Sequence, residues 1–214
     1  MNCEKAPSEQ EYDVAFTNRN GAAVHQTMKD MTIGIAGLGG LGSNVALMLV
    51  RAGVKKLVIA DNDIVGLPHL NRQNYMFKHI GCKKTDATED VLLSVNPYLE
   101  IEKHAVKIDT TNAKTIFGEC DAICEAMDKS DEKADFANTI LRECPDIFIV
   151  SGSGMAGYGR SNAITTKKSL KELYICGDMG DLEDRAEFVL SPRSQICAGH
   201  IANTMVALLM GGKF

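Results

Sequence analysis

The chain of 214 residues lacks the sequence signatures of several large protein classes. Its cysteines number seven, an odd count, and none forms a C-x-x-C pair, which argues against a disulfide framework and a tetrathiolate zinc site. No G-x-x-x-x-G-K-[ST] segment occurs, which excludes a P-loop enzyme, and no G-x-S-x-G segment marks a serine hydrolase. We therefore expect reduced thiols, no zinc and a cytoplasmic location.

Basic blocks and long apolar runs are missing too. The formal net charge is −5, so the chain carries no electrostatic footprint for nucleic acid. The longest apolar run, Ile196–Met210, is interrupted by polar residues and is too short to span a bilayer. The N-terminal residues are polar and acidic, unlike a signal peptide. These absences predict a globular protein with neither nucleic-acid nor membrane partners.

The most informative segment present is Ile33–Asp63, which has the pattern strand, glycine turn, helix, strand, acidic residue. A G-x-G-x-x-G pattern comprises Gly37, Gly39 and Gly42, and Asp61 follows the second strand. Glycines permit a tight turn and close approach of backbone to phosphate, while the helix N-terminus attracts an anion and the Asp accepts from ribose hydroxyls. The alternative is a βαβ unit whose glycines serve only packing. The segment predicts a nucleotide site, without choosing between a dehydrogenase and an ATP-using enzyme.

Alternating strand and helix patterns continue to Ser151 and predict an α/β fold. We expect strands at 32–36, 56–60, 101–108, 121–125 and 147–151, and helices at 42–52, 83–95, 111–119, 131–143 and 196–210. The expected architecture is Rossmann-like, a mainly parallel sheet with helices on both faces. After Ser151 the texture changes to glycine turns and short alternating segments, which predicts an antiparallel C-terminal extension. Residues 1–20 are expected to form a loose arm or a short helix, and residues 21–214 a single domain.

Three further side chains fall where the carboxyl ends of parallel strands would meet, the edge at which α/β sheets bind ligands. Arg72 lies in a polar loop and is either a phosphate ligand or a surface residue. Lys84 opens a helix, as a phosphate contact or as a solvated helix-end lysine. Asp128 follows a short buried strand, where it could hold Mg²⁺ or simply cap the next helix.

Taken in order, these residues resemble the ThiF/MoeB family, relatives of ubiquitin-activating enzymes. The resemblance rests on a combined motif spread over about residues 16–212, and the Ser153–Ile164 segment is similar to the compact bacterial ThiF subgroup. Its elements are G-x-G-G-x-G at 37–42, R-A-G-V at 51–54, Asp61 and Asp63, N-R-Q at 71–73, Lys84, N-P at 96–97, and Asp128.

The resemblance implies ATP-dependent adenylation of the C-terminal glycine of a small ubiquitin-like sulfur carrier ending in Gly-Gly, with thiazole synthesis for thiamine as the expected pathway. The nucleotide would be held by Gly37, Gly39, Gly40, Gly42, Asp61 and Asp63. Arg72, Gln73 and Lys84 would contact phosphates, and Asp128 would hold Mg²⁺. The family also implies a homodimer in which Arg19 of the arm reaches the partner subunit's site.

Positions that depart from the family's pattern, and two late cysteines, complete the analysis. Pro68-His69 replaces the usual Ser-Asn, and Lys129 replaces the Asn expected after Asp128. Some relatives link covalently to the carrier through a cysteine, and the candidates are Cys176, expected in a mobile flap, and Cys197, expected just before a helix N-terminus at Gly199. The alternative for both is a buried structural thiol.

Three function classes remain open from the sequence. They are a carrier adenylyltransferase, a nicotinamide-dependent oxidoreductase with the same glycine fingerprint, and a non-catalytic half of a heterodimeric activating enzyme. An oxidoreductase leaves Arg72, Lys84 and Asp128 unexplained, and inactive halves tend to lose the site residues that this chain keeps. Among carriers, a molybdopterin-type protein would use the same chemistry as a thiamine-type one.

Overall fold

The structure is a computed structural model that describes residues 6–153, 156–178 and 188–212. A seven-stranded sheet forms its centre, with strand order β3-β2-β1-β4-β5-β7-β6. All neighbouring strands are parallel except β6 and β7, which form the antiparallel extension predicted from the sequence. The strands are β1 (Thr32–Ala36), β2 (Lys56–Ala60), β3 (Glu100–His104), β4 (Ala122–Glu125), β5 (Phe148–Ser153), β6 (Ile164–Leu170) and β7 (Leu173–Asp178).

Helices cover both faces of this sheet, as predicted. They are α1 (Glu9–Asn20), α2 (Ala22–Asp30), α3 (Gly42–Ala52), α4 (Lys84–Leu93), α5 (Ala113–Phe117), α6 (Ser130–Glu143) and α7 (Ser191–Leu209). Buried side chains form one large cluster under α2, α3 and α7 and a second under α5 and α6. Cys124 of β4 belongs to the first cluster and its neighbour Ile123 to the second, because successive strand residues point to opposite faces. The mainly parallel, Rossmann-like α/β sheet is therefore confirmed.

Several predicted boundaries are wrong. The third strand ends at His104, not Ile108, because the chain leaves the sheet there and residues 106–108 line the cleft described below. The last helix begins at Ser191, five residues earlier than predicted, with Pro192 in its first turn. That proline fits a helix start because its missing N–H would have no intrahelical partner there. Helix α2 was not predicted at all.

The N-terminal segment forms α1, one of the two forms expected for residues 1–20. Ser8 begins the helix with a capping box in which its side chain and that of Glu11 bond each other's backbone N–H. The helix lies against the body of the protein through Lys55, whose ammonium group is 2.5 Å from Glu9 Oε1 and 3.1 Å from Asp13 Oδ1. Within the described part of the chain, no helix is both long and apolar enough to cross a membrane.

Candidate nucleotide-binding site

The glycine turn between β1 and α3 has a geometry that only glycine tolerates at two positions. Gly37 has a φ of +94°, and a Cβ added there would lie 2.7 Å from the Ala126 carbonyl oxygen. A Cβ added at Gly42 would lie 1.8 Å from the Gly37 carbonyl oxygen. Gly37 thus lets the turn pack against the end of β4, and Gly42 lets α3 begin directly beside β1.

Backbone N–H groups of this turn remain available to a ligand. In the part of the chain that the structure describes, no acceptor pairs with the N–H groups of Gly39, Gly40, Leu41 and Gly42. The carbonyls, by contrast, are engaged: Ser43 Oγ donates to Gly39 O at 2.7 Å, and Asn44 Nδ2 to Gly40 O at 2.7 Å. Apart from Gly39 itself and its two chain neighbours, no atom of the described residues lies within 4 Å of where a Gly39 Cβ would be. Free donors and open space at a helix N-terminus make an anion cradle.

Asp61 and Lys84 form the second part of the site. Asp61 Oδ2 accepts from Leu38 N at 2.7 Å and its Oδ1 from Asp63 N at 2.8 Å, which fixes the carboxylate at the end of β2. The ammonium group of Lys84 is buried, 2.7 Å from Asp63 Oδ2 and 3.7 Å from Asp61 Oδ2. A fixed carboxylate beside a held cation can receive a ribose hydroxyl and a phosphate oxygen together.

These groups surround a cleft of about 300 Å³ at the carboxyl edge of β1, β2 and β4. Six of the residues predicted for the site line it, and they come from four separate segments of the chain. They are Gly37, Gly39, Asp61, Asp63, Lys84 and Asp128. The sheet therefore brings together the glycine turn, the ribose carboxylate, the lysine and the proposed metal ligand.

Asp128 is exposed on the cleft wall and does not cap the following helix. The N-cap of α6 is Lys129, with no side-chain cap bond, so the capping alternative is wrong for Asp128. In the described part of the chain its carboxylate has no hydrogen-bond or ion-pair partner, and no three metal-ligating side chains lie together. One free carboxylate beside a phosphate cradle fits Mg²⁺, which prefers one or two carboxylates together with substrate phosphates.

Arg72 and Gln73 lie beside the glycine turn and do not line the cleft. Arg72 is half-buried, and its Nε would be 3.1 Å from a Cβ at Gly40. Gln73 is buried, with its Oε1 atom unpaired among the described residues. Arg72 lies beside Gly40, so its contact with a phosphate stays a prediction. A phosphate contact by the buried Gln73 also stays a prediction, and its burial outside the cleft does not favour it.

The two departures from the family pattern have defined surroundings. His69 Nδ1 accepts from Gly66 N at 2.9 Å, and burial together with the positive charge of Lys84 lowers the pKa of its imidazole. A neutral His69 therefore shapes the loop before Arg72. Lys129 lines the cleft beside Asp128, and its ammonium group lies 3.0 Å from Glu132 Oε1. Glu132 lines the cleft too, so the positive charge of Lys129 is paired there with a carboxylate.

Arg19 lies far from its own cleft. It is exposed in the last turn of α1, and its neighbour Asn20 donates to Ala52 O at the C-terminal end of α3. The glycine turn is at the other end of α3, which at its length spans about 16 Å. Arg19 is therefore not brought to the site within one chain.

Both cysteine expectations are wrong in their geometry. Cys197 is the seventh residue of α7 and does not precede a helix N-terminus, and burial raises the pKa of its thiol to about 12. Cys176 lies in β7, hydrogen-bonded on both sides within the sheet, and burial raises the pKa of its thiol too. Both side chains are buried, which favours the structural alternative.

Sequence reasoning missed the polar side chains that donate hydrogen bonds to the carbonyl groups of the glycine turn. Ser43 and Asn44 are buried and hold its carbonyls, and Asn44 Nδ2 also donates to Arg72 O at 2.9 Å. Ser194 of α7 donates to Gly40 O at 2.8 Å from a distant part of the chain. Ser43 and Asn44 could have been suspected, because they open an otherwise apolar helix; Ser194 carried no local signal.

With this geometry the chain matches the model of the ThiF family over residues 12–213, and it belongs to that family. Among curated relatives, ubiquitin-like modifier-activating enzyme 5 of Caenorhabditis briggsae is 38% identical over 93 residues, 44% of this chain and 22% of that protein. The same enzyme of Branchiostoma floridae is 34% identical over 124 residues, 58% of this chain and 29% of that protein. The matches thus cover less than a third of these relatives' length.

Solved structures show the same fold at low sequence identity. E. coli tRNA N6-threonylcarbamoyladenosine dehydratase, TcdA, in complex with ATP has a TM-score of 0.85 at 16% identity, covering 95% of this chain and 96% of that one. E. coli MccB with AMPCPP and MccA has a TM-score of 0.68 at 19% identity, covering 98% of this chain and 65% of that one. The first structure contains ATP and the second AMPCPP, and at these identities the likeness establishes the fold alone.

Proposed function

We propose that this protein uses ATP to adenylate the C-terminal glycine of a small ubiquitin-like carrier protein. The observation that carries the proposal is the cleft that Gly37 and Gly39 of the glycine turn line together with Asp61, Lys84 and Asp128. Family membership and nucleotide-bound structural neighbours support ATP over a nicotinamide cofactor. The named activity of the curated relatives supports a ubiquitin-like protein as substrate.

The reaction would need positioning and charge stabilisation more than proton transfer. The carrier's terminal carboxylate is already ionised near neutral pH, and one of its oxygens attacks the α-phosphorus. The bond between the α-phosphorus and the bridging oxygen breaks, and pyrophosphate leaves with that oxygen. Lys84 and the N–H groups of the turn would stabilise the charge that develops on phosphate oxygens. A Mg²⁺ ion held by Asp128 would neutralise part of the triphosphate charge when bound.

The finer assignment is a sulfur carrier ending in Gly-Gly, in the thiazole branch of thiamine synthesis. It rests on the resemblance of the Ser153–Ile164 segment to the compact ThiF subgroup, and residues 154–155 of that segment lie outside the described residues. A molybdopterin-type carrier would present the same terminal carboxylate. The two carrier types would therefore differ only in their folded domains, which would bind outside the cleft.

We also propose a homodimer in which Arg19 completes the partner subunit's site. The position of α1 supports this, because Arg19 is exposed at the end of α3 opposite to the glycine turn. An arginine so placed can act on an adenylation site only in a second copy of the chain. A second protomer related by a two-fold axis would give each cleft one such residue.

ATP–pyrophosphate exchange tests the function directly. Purified protein with ATP, Mg²⁺ and labelled pyrophosphate should exchange label only when a ubiquitin-like sulfur carrier ending in Gly-Gly is added. The control is the same carrier without its last glycine. Thiamine-type and molybdopterin-type carriers are compared side by side, and thermal shifts with ATP and with NAD are recorded in parallel. Stabilisation by NAD and not ATP, with no exchange for either carrier, would contradict the proposal.

A further inference from the structure

Strand β4 ends in a buried carboxylate that the proposed reaction does not use. Glu125 is 1% exposed, and its Oε2 atom lies 2.7 Å from Lys133 Nζ and 2.5 Å from Ser151 Oγ. Lys133 Nζ also donates to Glu125 Oε1 at 2.9 Å. A buried ion pair often stabilises a fold no more than apolar residues of the same size would. We therefore ask which local conformation the Glu125–Lys133 pair fixes.

The conformation that this ion pair fixes is the turn leading to Asp128. Glu125 Oε1 accepts from Met127 N at 2.8 Å, and Lys133 Nζ donates to Met127 O at 3.1 Å. Both polar backbone groups of Met127, the residue before Asp128, are therefore held by side chains. The same turn is tied to β1, because Ala126 N donates to Ala36 O at 2.8 Å.

Asp128 itself has no such anchor. Its side chain is exposed and, among the described residues, unpaired, and Lys129 after it adopts an extended conformation before α6 begins. The backbone that Glu125 and Lys133 hold thus sets where the Asp128 side chain begins and which part of the cleft its carboxylate can reach. A carboxylate that shares a metal ion with phosphate oxygens must be held to within a fraction of an ångström, and supporting hydrogen bonds provide this.

We propose that Glu125 and Lys133 are positioning residues that fix Asp128 for a divalent cation bound with the nucleotide. The inference rests on the proposed function, because that function assigns Asp128 to the metal. Neither Glu125 nor Lys133 lines the cleft, so neither would touch the metal or the nucleotide. They act through Met127, which distinguishes them from residues of the cleft wall.

Binding of Mn²⁺ to the protein saturated with α,β-methylene ATP, followed by electron paramagnetic resonance, tests the inference without turnover. The double variant Glu125→Gln/Lys133→Met leaves no unpaired buried charge and removes the hold on Met127 O. We expect it to bind Mn²⁺ at least about 10-fold more weakly, the size of effect that loss of a metal site's supporting partners produces. Asp128→Asn gives the reference for loss of the ligand.

The control is Thr139→Val, which changes another buried polar residue of α6, far along the helix from the turn. It should bind Mn²⁺ like the wild type even where its melting temperature falls. Lys133→Met alone, which still removes the donor to Met127 O, is the second variant should the double variant not fold, and a loss of about threefold is expected. Wild-type Mn²⁺ affinity in whichever of the two variants folds overturns the inference.

Pyrophosphate exchange by the wild type separates this inference from the proposed function. Carrier-dependent exchange together with unchanged Mn²⁺ affinity in the variants would uphold the function and overturn the positioning role. Absence of exchange in the wild type, with Mn²⁺ binding that Asp128→Asn and the double variant both weaken, would overturn the function and uphold the positioning role.

Discussion

The two edges of the sheet each contain a lysine buried between two carboxylates, and the two lysines do different things. At the amino edge, Lys55 is 4% exposed and joins Glu9 and Asp13 of α1 to the body. At the carboxyl edge, Lys84 is 3% exposed and joins Asp61 and Asp63. The burial and the number of partners are nearly equal, so neither property marks a functional lysine.

The difference lies in what surrounds each group. The partners of Lys55 belong to a helix that packs over it, and the cluster satisfies its own charges. The partners of Lys84 line an open cleft that also contains unpaired N–H groups and the free carboxylate of Asp128. A charged group is available for chemistry where the fold leaves open space and unpaired polar groups beside it. We therefore call the amino edge around Lys55 the structural edge and the carboxyl edge around Lys84 the chemical edge.

The largest effect expected at the chemical edge follows from removing Asp128. Asp128→Ala should lower carrier-dependent pyrophosphate exchange on the order of 10³-fold, because a bound metal contributes several kcal/mol to stabilising the transition state. Asp121 at the opposite end of β4 is the matched control, since its Oδ2 only accepts from Thr32 N at 2.7 Å. Asp121→Ala should lose about 1 kcal/mol of stability and keep its exchange rate.

Denaturation in urea and exchange assays on both variants check this pair. Normal exchange in Asp128→Ala would remove Asp128 from the site and with it the distinction between the edges. A large loss of exchange in Asp121→Ala, with folding intact, would show that the amino edge also takes part in the reaction, which contradicts the comparison.

The two lysines give the next largest effect. Lys84→Ala should slow exchange on the order of 10²-fold, the scale of losing one preorganised charge donor, and Arg72→Ala should do the same if Arg72 reaches the phosphates. Lys55→Ala should instead lower the free energy of unfolding, by about 2 kcal/mol, through loss of the contacts that hold α1. Steady-state exchange and urea denaturation are measured for all three variants. Lys84→Ala should lose mainly exchange rate, and Lys55→Ala should lose mainly stability.

Rates within a fewfold of the wild type in Lys84→Ala would class it with Lys55 as a structural lysine. For Arg72 alone, such a result would agree with its position outside the cleft and would correct the role that the resemblance implied.

Much of the chemical edge was predictable from the sequence, and the reasons are local. The bounds of β1, α3 and β2 agree with the prediction to the residue, because the glycine turn and the apolar periodicity on either side depend on neighbours in sequence. Asp61 and Asp128 follow the ends of strands and Lys84 begins a helix, so a parallel sheet brings all three to its carboxyl edge.

Long-range packing decided what was missed. The position of Arg72 depends on Gly40 and on Asn44, and the placement of Cys197 depends on a helix whose first turn reaches Gly40 through Ser194. The alternating pattern of residues 101–108 resembled one strand, yet the sheet pairs only as far as His104. Helix α2 is short and is stabilised by docking of His25 and Met28, which no local signal announces.

Variants of Arg19 test whether a residue near the amino edge of one subunit completes the nucleotide site at the carboxyl edge of its partner. Arg19→Ala alone and Asp128→Ala alone should each be nearly inactive. Mixed after subunit exchange, they should recover up to about a quarter of wild-type exchange, since half of the dimers are mixed and each has one intact site. Sedimentation confirms dimers, and a tagged subunit confirms mixing. Mixed dimers without recovered activity would show that Arg19 does not act across the interface.

The structural edge should also respond to acid, with a smaller effect. Burial acts to raise the pKa of Asp13, but hydrogen bonds from Lys29 and Lys55 outweigh it and hold the pKa below its ordinary value. A depressed pKa in the folded state means stability that is present above the unfolded pKa of about 4 and is lost as the pH falls through the folded pKa.

Asp13→Asn should therefore destabilise the protein by about 1–2 kcal/mol at pH 7 and by clearly less at pH 3. Urea denaturation followed by circular dichroism at both pH values gives the two differences. A difference that is equal at both pH values, or larger in acid, would show that the charge of Asp13 does not hold α1.

The smallest effect is expected for the thiols in the interior between the edges. Burial raises the pKa of Cys197 to about 12 and raises that of Cys176, so neither is a thiolate near pH 7, and adenylation requires no thiol. Cys197→Ser and Cys176→Ser should therefore leave pyrophosphate exchange unchanged, and iodoacetamide should modify the exposed Cys82 well before either buried thiol. Mass spectrometry after timed alkylation measures the order of reaction. Loss of exchange in Cys197→Ser with folding intact, or alkylation of Cys197 as fast as of Cys82, would mean that the interior opens during the reaction and that chemistry is not confined to the carboxyl edge.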